Sequence, residues 1–329
     1  MKVILDAMGG DYAPLEIIKG AIDAANEDKK MKILLVGRQS EIASILKEYP
    51  HRENAFHIVD APDVIEFAEH PVKAVRSKPN SSIVVGMKLI KKGEGRTFIS
   101  AGSSGAMVAA AVLTLGKIPN VIRPCLGILI PALTGPTMIL DVGASADCTP
   151  AFLQNFAQMG TVYMRRVFGI VKPRVAILSN GEEKTKGNEL INETHRLLDK
   201  SPLNFIGNLE GNDLTKGVAD VIVTDGFTGN IVLKTIEGVG ETFTEFFREL
   251  IITDNRLKDA IPYFRLALGA FAKKWDYSEY GGSLLLGVNG NVVISHGRSN
   301  AKAIKNALLF AGKTSDLKVV ETIKAGYEV

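Results

Sequence analysis

The chain has 329 residues, 46% apolar and 23% charged, with a formal net charge of +3. That length supplies core for one large α/β domain or two lobes, and the composition excludes a disordered chain, a repeat array or a disulfide-stapled module. So small a positive balance gives no electrostatic footprint of a nucleic-acid binder, yet it tolerates an acidic partner.

Two cysteines, Cys125 and Cys148, lack CxxC or Cys/His spacing, so they read as small apolar fillers in a reducing compartment, with no metal site. The N-terminus opens directly on the strand-like Lys2-Val-Ile-Leu-Asp6, without the basic and long apolar regions of a secretory signal. No apolar run approaches the roughly 20 residues of a spanning helix. A cytoplasmic protein is expected, and any membrane contact would be peripheral.

In chain order, short β-branched runs at 3–5, 33–36, 97–100, 126–130, 138–141, 175–179, 221–224 and 292–295 read as strands. Amphipathic stretches at 14–26, 81–92, 105–116, 150–168, 186–199, 230–252 and 299–325 read as helices. This alternation predicts an α/β fold with a mainly parallel sheet covered on both faces. Residues 1–329 read as one domain, with a lobe boundary near 144–150.

Polar, glycine-bearing turns follow five of the strands. The first is Asp6-Ala-Met-Gly9-Gly10-Asp11, and the next is Ser100-Ala-Gly102-Ser103-Ser104-Gly-Ala106. Asp141-Val-Gly143-Ala-Ser145, then Gly181-Glu-Glu-Lys-Thr-Lys186-Gly187-Asn188-Glu189, and Asp225-Gly-Phe-Thr228-Gly229-Asn230 complete the set. One such turn is an ordinary strand-to-helix connection. Five of them describe a composite pocket, because ligands of open α/β sheets collect beyond the carboxyl ends of the strands. Glycine admits close backbone approach, and the hydroxyls of Ser103, Ser104 and Thr228 with nearby N–H groups can cradle a phosphate.

GxxxxGK[ST] and GxGxxG are both absent, so nucleotide cofactors lose ground. No GxSxG elbow and no HxxxxD pattern supports a covalent acyl mechanism. Of the five histidines only His296, at the end of a strand in Ser295-His-Gly-Arg-Ser299, draws suspicion, and a structural role is preferred even there.

Taken together, these turns, with Phe205-Ile-Gly-Asn208, Tyr280-Gly-Gly282 and His296-Gly297, resemble the phosphate acyltransferase family of bacterial phospholipid synthesis. The resemblance implies transfer of a long acyl chain from acyl carrier protein to inorganic phosphate, without a cofactor, giving acyl phosphate for a membrane acyltransferase. It also implies a three-layer α/β/α sandwich with a mixed, mainly parallel sheet, similar to isocitrate and isopropylmalate dehydrogenases and to phosphotransacetylase. Two intertwined lobes and a homodimer belong to the same expectation. Ser103 and Ser145 depart from the family pattern, where asparagine is usual, but both keep a hydrogen-bonding side chain.

The residues make chemical sense of that reaction. Phosphate is a competent nucleophile and a thiolate of pKa roughly 8.5 leaves readily, so the barrier is one of positioning and charge. A fixed cation and a preorganised oxyanion donor are needed, each worth about 3 kcal/mol when removed. Lys186 is the candidate cation and Asn230 the candidate donor, as the resemblance also implies. Glu182 and Glu183 either orient Lys186 or charge a helix N-terminus. Asp6, Gly9, Gly10, Gly102, Ser103, Ser104, Gly143, Gly187, Asn188, Asp225, Thr228 and Gly229 are the candidate phosphate and substrate contacts.

An acidic carrier protein calls for a basic surface, for which Lys73, Arg76 and Lys78 form one cluster and Arg165 and Arg166 another. Residues 246–275 interleave aromatic, aliphatic and basic side chains around Pro262, which reads as an amphipathic hairpin. Phe264, Leu266, Leu268 and Phe271 are its candidate contacts with an anionic leaflet, a dimer contact being the competing use. Rival readings are a short-chain phosphotransacylase using coenzyme A, a decarboxylating dehydrogenase and a carrier-binding scaffold without turnover.

Overall fold

The structure, a computed structural model, describes residues 2–253, 263, 269 and 281–325. The first lobe begins with β1 (Lys2–Asp6), α1 (Leu15–Glu27), β2 (Lys32–Gly37), α2 (Gln39–Glu48), β3 (Phe56–Asp60), α3 (Pro71–Ser77), α4 (Ser82–Lys91), β4 (Thr97–Ser100) and α5 (Ser104–Thr114). A hairpin of β5 (Cys125–Ala132) and β6 (Gly135–Leu140) leads into the second lobe, with α6 (Pro150–Phe168), β7 (Arg174–Leu178), α7 (Glu189–Asp199), β8 (Asn204–Leu209), β9 (Val221–Val223) and α8 (Gly226–Thr253). The chain then returns to the first lobe with β10 (Ser283–Leu286), β11 (Asn291–Ile294), α9 (Ala301–Thr314) and α10 (Val319–Lys324).

Among the described residues, all the strands join one eleven-stranded sheet of order β3-β2-β1-β4-β11-β10-β5-β6-β9-β7-β8. Seven of its ten neighbour pairings are parallel and three, all involving β5 or β10, are antiparallel. The sheet is therefore mixed and mainly parallel, as the alternation predicts. One face carries α3, α4, α5 and the start of α8, and the other carries α1, α2 and α9 over the first lobe and α6, α7 and α10 over the second.

Strand direction divides the carboxyl ends of the sheet between two edges. The antiparallel pairs reverse the chain, so β6, β9, β7 and β8 run opposite to β1, β2, β3, β4 and β11. Register then brings the two carboxyl edges together. Residues 125–127 of β5 pair with β10, whereas 127–132 pair with β6, so the half-sheets are slid past one another along β5. Leu140, at the end of β6, stands opposite Gly127, which stands opposite Leu284 near the start of β10. Both lobes thus turn their strand ends toward one central cleft, which a simple parallel sheet would not do.

Local chemistry accounts for the remaining corrections. The stretch read as one helix at 299–325 is two, because Lys318 adopts a left-handed φ of 53° between α9 and α10. The helix expected from Lys186 begins at Glu189, since Asn188 caps it by accepting from Ile191 N–H at 3.0 Å. The helix expected from Asn230 begins at Gly226, where the Asp225 carboxylate accepts from Thr228 N–H at 2.8 Å. The hairpin expected at 246–275 lies outside the described residues beyond Thr253, apart from Tyr263 and Gly269, and Phe264, Leu266, Leu268 and Phe271 lie outside them too.

Candidate active site

The first-lobe side of the cleft is built on Asp6. Its buried carboxylate accepts from Ser100 Oγ at 2.6 Å and from Met8 N–H at 3.0 Å, while Ser100 Oγ accepts from Gly102 N–H at 3.0 Å. This chain of bonds ties the turn after β1 to the turn after β4. A Cβ on Gly9 would lie 2.6 Å from Gly102 N and 2.8 Å from Asp6 Oδ2, so only glycine lets the two turns touch. Burial pushes the Asp6 carboxyl above its usual range, against hydrogen bonds from Ser100, Ser82 and the backbone. Ser103 accepts from Ala106 N–H at 3.4 Å and caps α5, leaving Ser104 in the first helical turn at the cleft wall.

On the second-lobe side, Asp141 plays the same part. Oδ1 accepts from the N–H groups of Leu126 (2.8 Å), Ala144 (3.1 Å) and Gly143 (3.3 Å), and Oδ2 from that of Ser145 (2.7 Å). The carboxylate fills the anion nest of its own turn, so those N–H groups are engaged before any phosphate arrives. Burial raises this carboxyl too, opposed by the four N–H bonds. A Cβ on Gly226 would lie 2.6 Å from Asp141 Oδ2, which fixes how closely α8 approaches the turn. Asn230 then rests against Gly143, whose φ is 137°.

Between these two sides lies a cleft of about 290 Å³. Gly102 and Ser104 line it from the first lobe, Gly143 and Asn230 from the second, and Lys234, Glu237 and His296 join them. Asn230, Lys234 and Glu237 follow the i, i+4, i+7 spacing of one face of α8. His296 Nδ1 accepts from Arg298 N–H at 3.0 Å, so the neutral ring carries its proton on Nε2 as a donor. Burial first, then the Arg298 and Lys234 charges, pull its pKa below the imidazole value and favour that neutral form. Burial likewise raises the Glu237 carboxyl, opposed by Lys234. The cleft therefore brings together the N-terminus of α5, a hydroxyl, an amide, an ammonium and a neutral imidazole beside the Glu237 carboxyl, a largely donor set suited to an anion and to a developing oxyanion.

A family model described as "Fatty acid synthesis protein" matches residues 1–322. A phosphate acyltransferase of Dictyoglomus thermophilum is 49% identical over 328 residues, covering 99% of this chain and 97% of its own. One from Desulforamulus reducens is 46% identical over 330 residues, covering 100% and 98%. The chain belongs to the phosphate acyltransferase family. Among solved structures, a phosphotransacetylase from Streptococcus pyogenes superposes with a TM-score of 0.64 at 17% identity, covering 98% of this chain and 94% of its own. A 4-hydroxythreonine-4-phosphate dehydrogenase from Klebsiella pneumoniae gives 0.57 at 11% identity, covering 96% and 99%. These two show that the family shares its α/β fold with both kinds of enzyme.

Within this acyltransferase, the structure gathers Gly102, Ser104, Gly143 and Asn230 at the cleft and sets the other expected contacts around it. Asp6, Gly9, Gly10 and Ser103 shape the first-lobe turns from behind. Thr228 donates its hydroxyl to Asp225 Oδ2 at 2.8 Å, so that pair is engaged with itself, and Gly229 packs against the Asp141 carbonyl. Lys186 is exposed on the loop after β7, with its stem over Gly181, and Gly187 (φ 99°) and Asn188 lead from it into α7. None of these three is among the residues lining the cleft. His296 carried a signal in sequence, a histidine at a strand end; Lys234 and Glu237 carried only their helical spacing from Asn230.

The basic clusters also separate. Lys73 and Arg76 are exposed on α3, but the Lys78 ammonium is held by Glu69 (2.5 Å) and the Val64 carbonyl (2.8 Å). Arg165 and Arg166 sit in the last turn of α6, which leaves the cleft side at Pro150 and carries them about 25 Å away along its axis. Among the described residues, no helix is long and apolar enough to cross a membrane.

Proposed function

We propose that this acyltransferase moves a long-chain acyl group from acyl carrier protein to inorganic phosphate. A phosphate oxygen attacks the thioester carbonyl, the tetrahedral oxyanion collapses with cleavage of the C–S bond, and acyl phosphate and the carrier thiolate leave. The observation that carries this reading is the donor-lined cleft between the carboxyl edges of the two half-sheets. Its nearest thiols argue against a covalent intermediate, because burial holds Cys125 well above its usual value and pushes Cys148 up to about 11. Asn230 and the neutral His296 stabilise the oxyanion, and the first turn of α5 with Ser104 and Lys234 holds phosphate. Lys186, on the exposed loop after β7, is the second cation.

Lys73 and Arg76 form the docking surface for the acidic carrier, in preference to the remote Arg165 and Arg166. The exposed Ile231, Val239, Phe243 and Phe246 of α8 fit a second copy of the chain, giving a homodimer. The basic, aromatic segment that follows rests on the anionic inner face of the cell membrane, where a membrane acyltransferase consumes the product.

Purified protein, palmitoyl-carrier protein and phosphate provide the test, with hydroxylamine trapping acyl phosphate. Phosphate-dependent release of carrier thiol, with a trapped palmitoyl product and loss in Lys186→Ala, is expected. Release from acetyl-coenzyme A but not from the carrier would overturn the carrier-protein reading.

A further inference from the structure

A second groove, also about 290 Å³, adjoins the cleft at Gly143 on the α5 side. Gly143 lines both spaces, and Ser104 of the cleft is followed directly by Gly105 of the groove. Its long wall is one face of α5: Gly105, Val108, Ala109, Val112 and Leu113 fall at i, i+3, i+4, i+7 and i+8. The opposite face, with Ala106, Met107, Ala110 and Ala111, is fully buried in the core, so α5 is apolar on both sides. A helix apolar all round belongs in an interior, yet Leu113 is 49% exposed and Val72, across the groove on α3, is 39% exposed. Gly105 packs closely against Pro71 of α3, where a Cβ would lie 2.7 Å from Cγ.

We infer that this groove holds the acyl chain of the substrate, an inference that rests on the acyl-transfer reading above. The lining decides between occupants of similar width. Arg123 is its one polar side chain, and its Nε donates to Ser145 Oγ at 2.8 Å. Apart from Arg123 and the backbone, a pantetheine arm would find no polar partner for its amides along this wall, whereas an alkyl chain needs none. With Gly143 lining both spaces, the first carbons would lie beside Asn230 and the later ones along α5, with Val112 about 12 Å by helix rise from Ser104. Position along the helix therefore becomes a ruler for chain length.

The test compares kcat/KM for butyryl-, octanoyl- and palmitoyl-carrier protein in Val112→Trp and Ala109→Phe. In Val112→Trp the palmitoyl value falls at least about tenfold, the loss expected when a few methylenes are pushed back into water, while the butyryl value changes less than about twofold. Ala109→Phe, one turn nearer the cleft, moves the cut-off to shorter chains and also reduces the octanoyl value. Equal losses on all chain lengths, or none, overturn the inference, as does an altered oligomeric mass without a change in chain-length profile, which would show a second copy covering this face. Should Val112→Trp not fold, the Ala109→Phe profile decides alone. A wild-type protein that transfers no acyl group to phosphate overturns the activity itself, an outcome distinct from a normal wild type with indifferent variants.

Discussion

Removing the Asp141 side chain tests whether the second-lobe wall is held by acceptor geometry. In Asp141→Ala the N–H groups of Leu126, Gly143, Ala144 and Ser145 lose their common partner. At about 1 kcal/mol for each orphaned donor, the low end of that cost, the loss is about 4 kcal/mol, a large part of a typical domain's stability. Asp141→Asn behaves differently. A neutral amide can keep its oxygen where Oδ1 stands, retaining three of the four bonds, and it carries no charge to be desolvated, the cost that raises the carboxyl pKa. Its NH2 group meets the Ser145 N–H, so a net cost of about 1–2 kcal/mol remains. Urea unfolding of both variants, with m-values compared, reads the difference. Because Gly143 supports Asn230, both variants should also lose kcat/KM in the same order. Equal destabilisation by Ala and Asn would mean that the charge, not the number of acceptors, holds the turn; no destabilisation by either would refute the role altogether.

His296 predicts a pH effect whose sign follows from its depressed pKa. A base that is harder to protonate when folded contributes stability above its unfolded pKa, and that contribution is lost as pH falls through the lower folded value. Phosphate-dependent activity should therefore hold through neutral pH and fall on an acidic limb below the ordinary imidazole range, and His296→Gln should flatten that limb; an unchanged limb would assign it to another group. Asp6 and Asp141 act in the opposite sense. Both carboxyls are raised by burial, so the stability they contribute is fully present below the ordinary carboxylate range and lost as pH rises through their folded values, and Asp141→Asn should flatten that part of the stability profile. Gly9→Ala should cost about 1–3 kcal/mol through overlap with Gly102, Asp6 and Ser100, measured as a lowered urea midpoint. Arg76→Glu should raise KM for carrier-bound substrate and leave phosphate affinity alone; equal kinetics would remove α3 from the docking surface.

The strands legible in the sequence are those buried on both faces, such as β1, β4, β7 and β9, whose apolar runs have few competing readings. The ones that escaped follow a physical rule. β3 and β8 are the two edges of the sheet, half-exposed and carrying His57 or Gly207 and Asn208, so their pattern resembles loop. β10 is only four residues long. Strand direction is not written in an apolar run. It was nevertheless accessible at one point, since the strands read at 126–130 and 138–141 leave only seven residues between them, a link too short for a parallel crossover. The glycine turns were visible as turns, and half of their role was visible with them. Which turns face substrate and which merely brace a neighbour depends on the lobes meeting, and Asn230 and His296, 66 residues apart, come together only through that meeting.

The path of the chain through the sheet also bears on its synthesis. Between β4 and β5 stand β11 and β10, which follow the other described strands in the chain. A nascent chain that has emerged only as far as α8 holds β3-β2-β1-β4 and β5-β6-β9-β7-β8 as two unjoined ribbons, each with an open, hydrogen-bond-hungry margin. Emergence of residues 283–294 inserts a two-stranded bridge into that gap and pairs both margins at once. The cleft between the half-sheets therefore forms only once residues 283–294 are in place, and chains cut short before that bridge remain exposed to misassembly and to proteolysis.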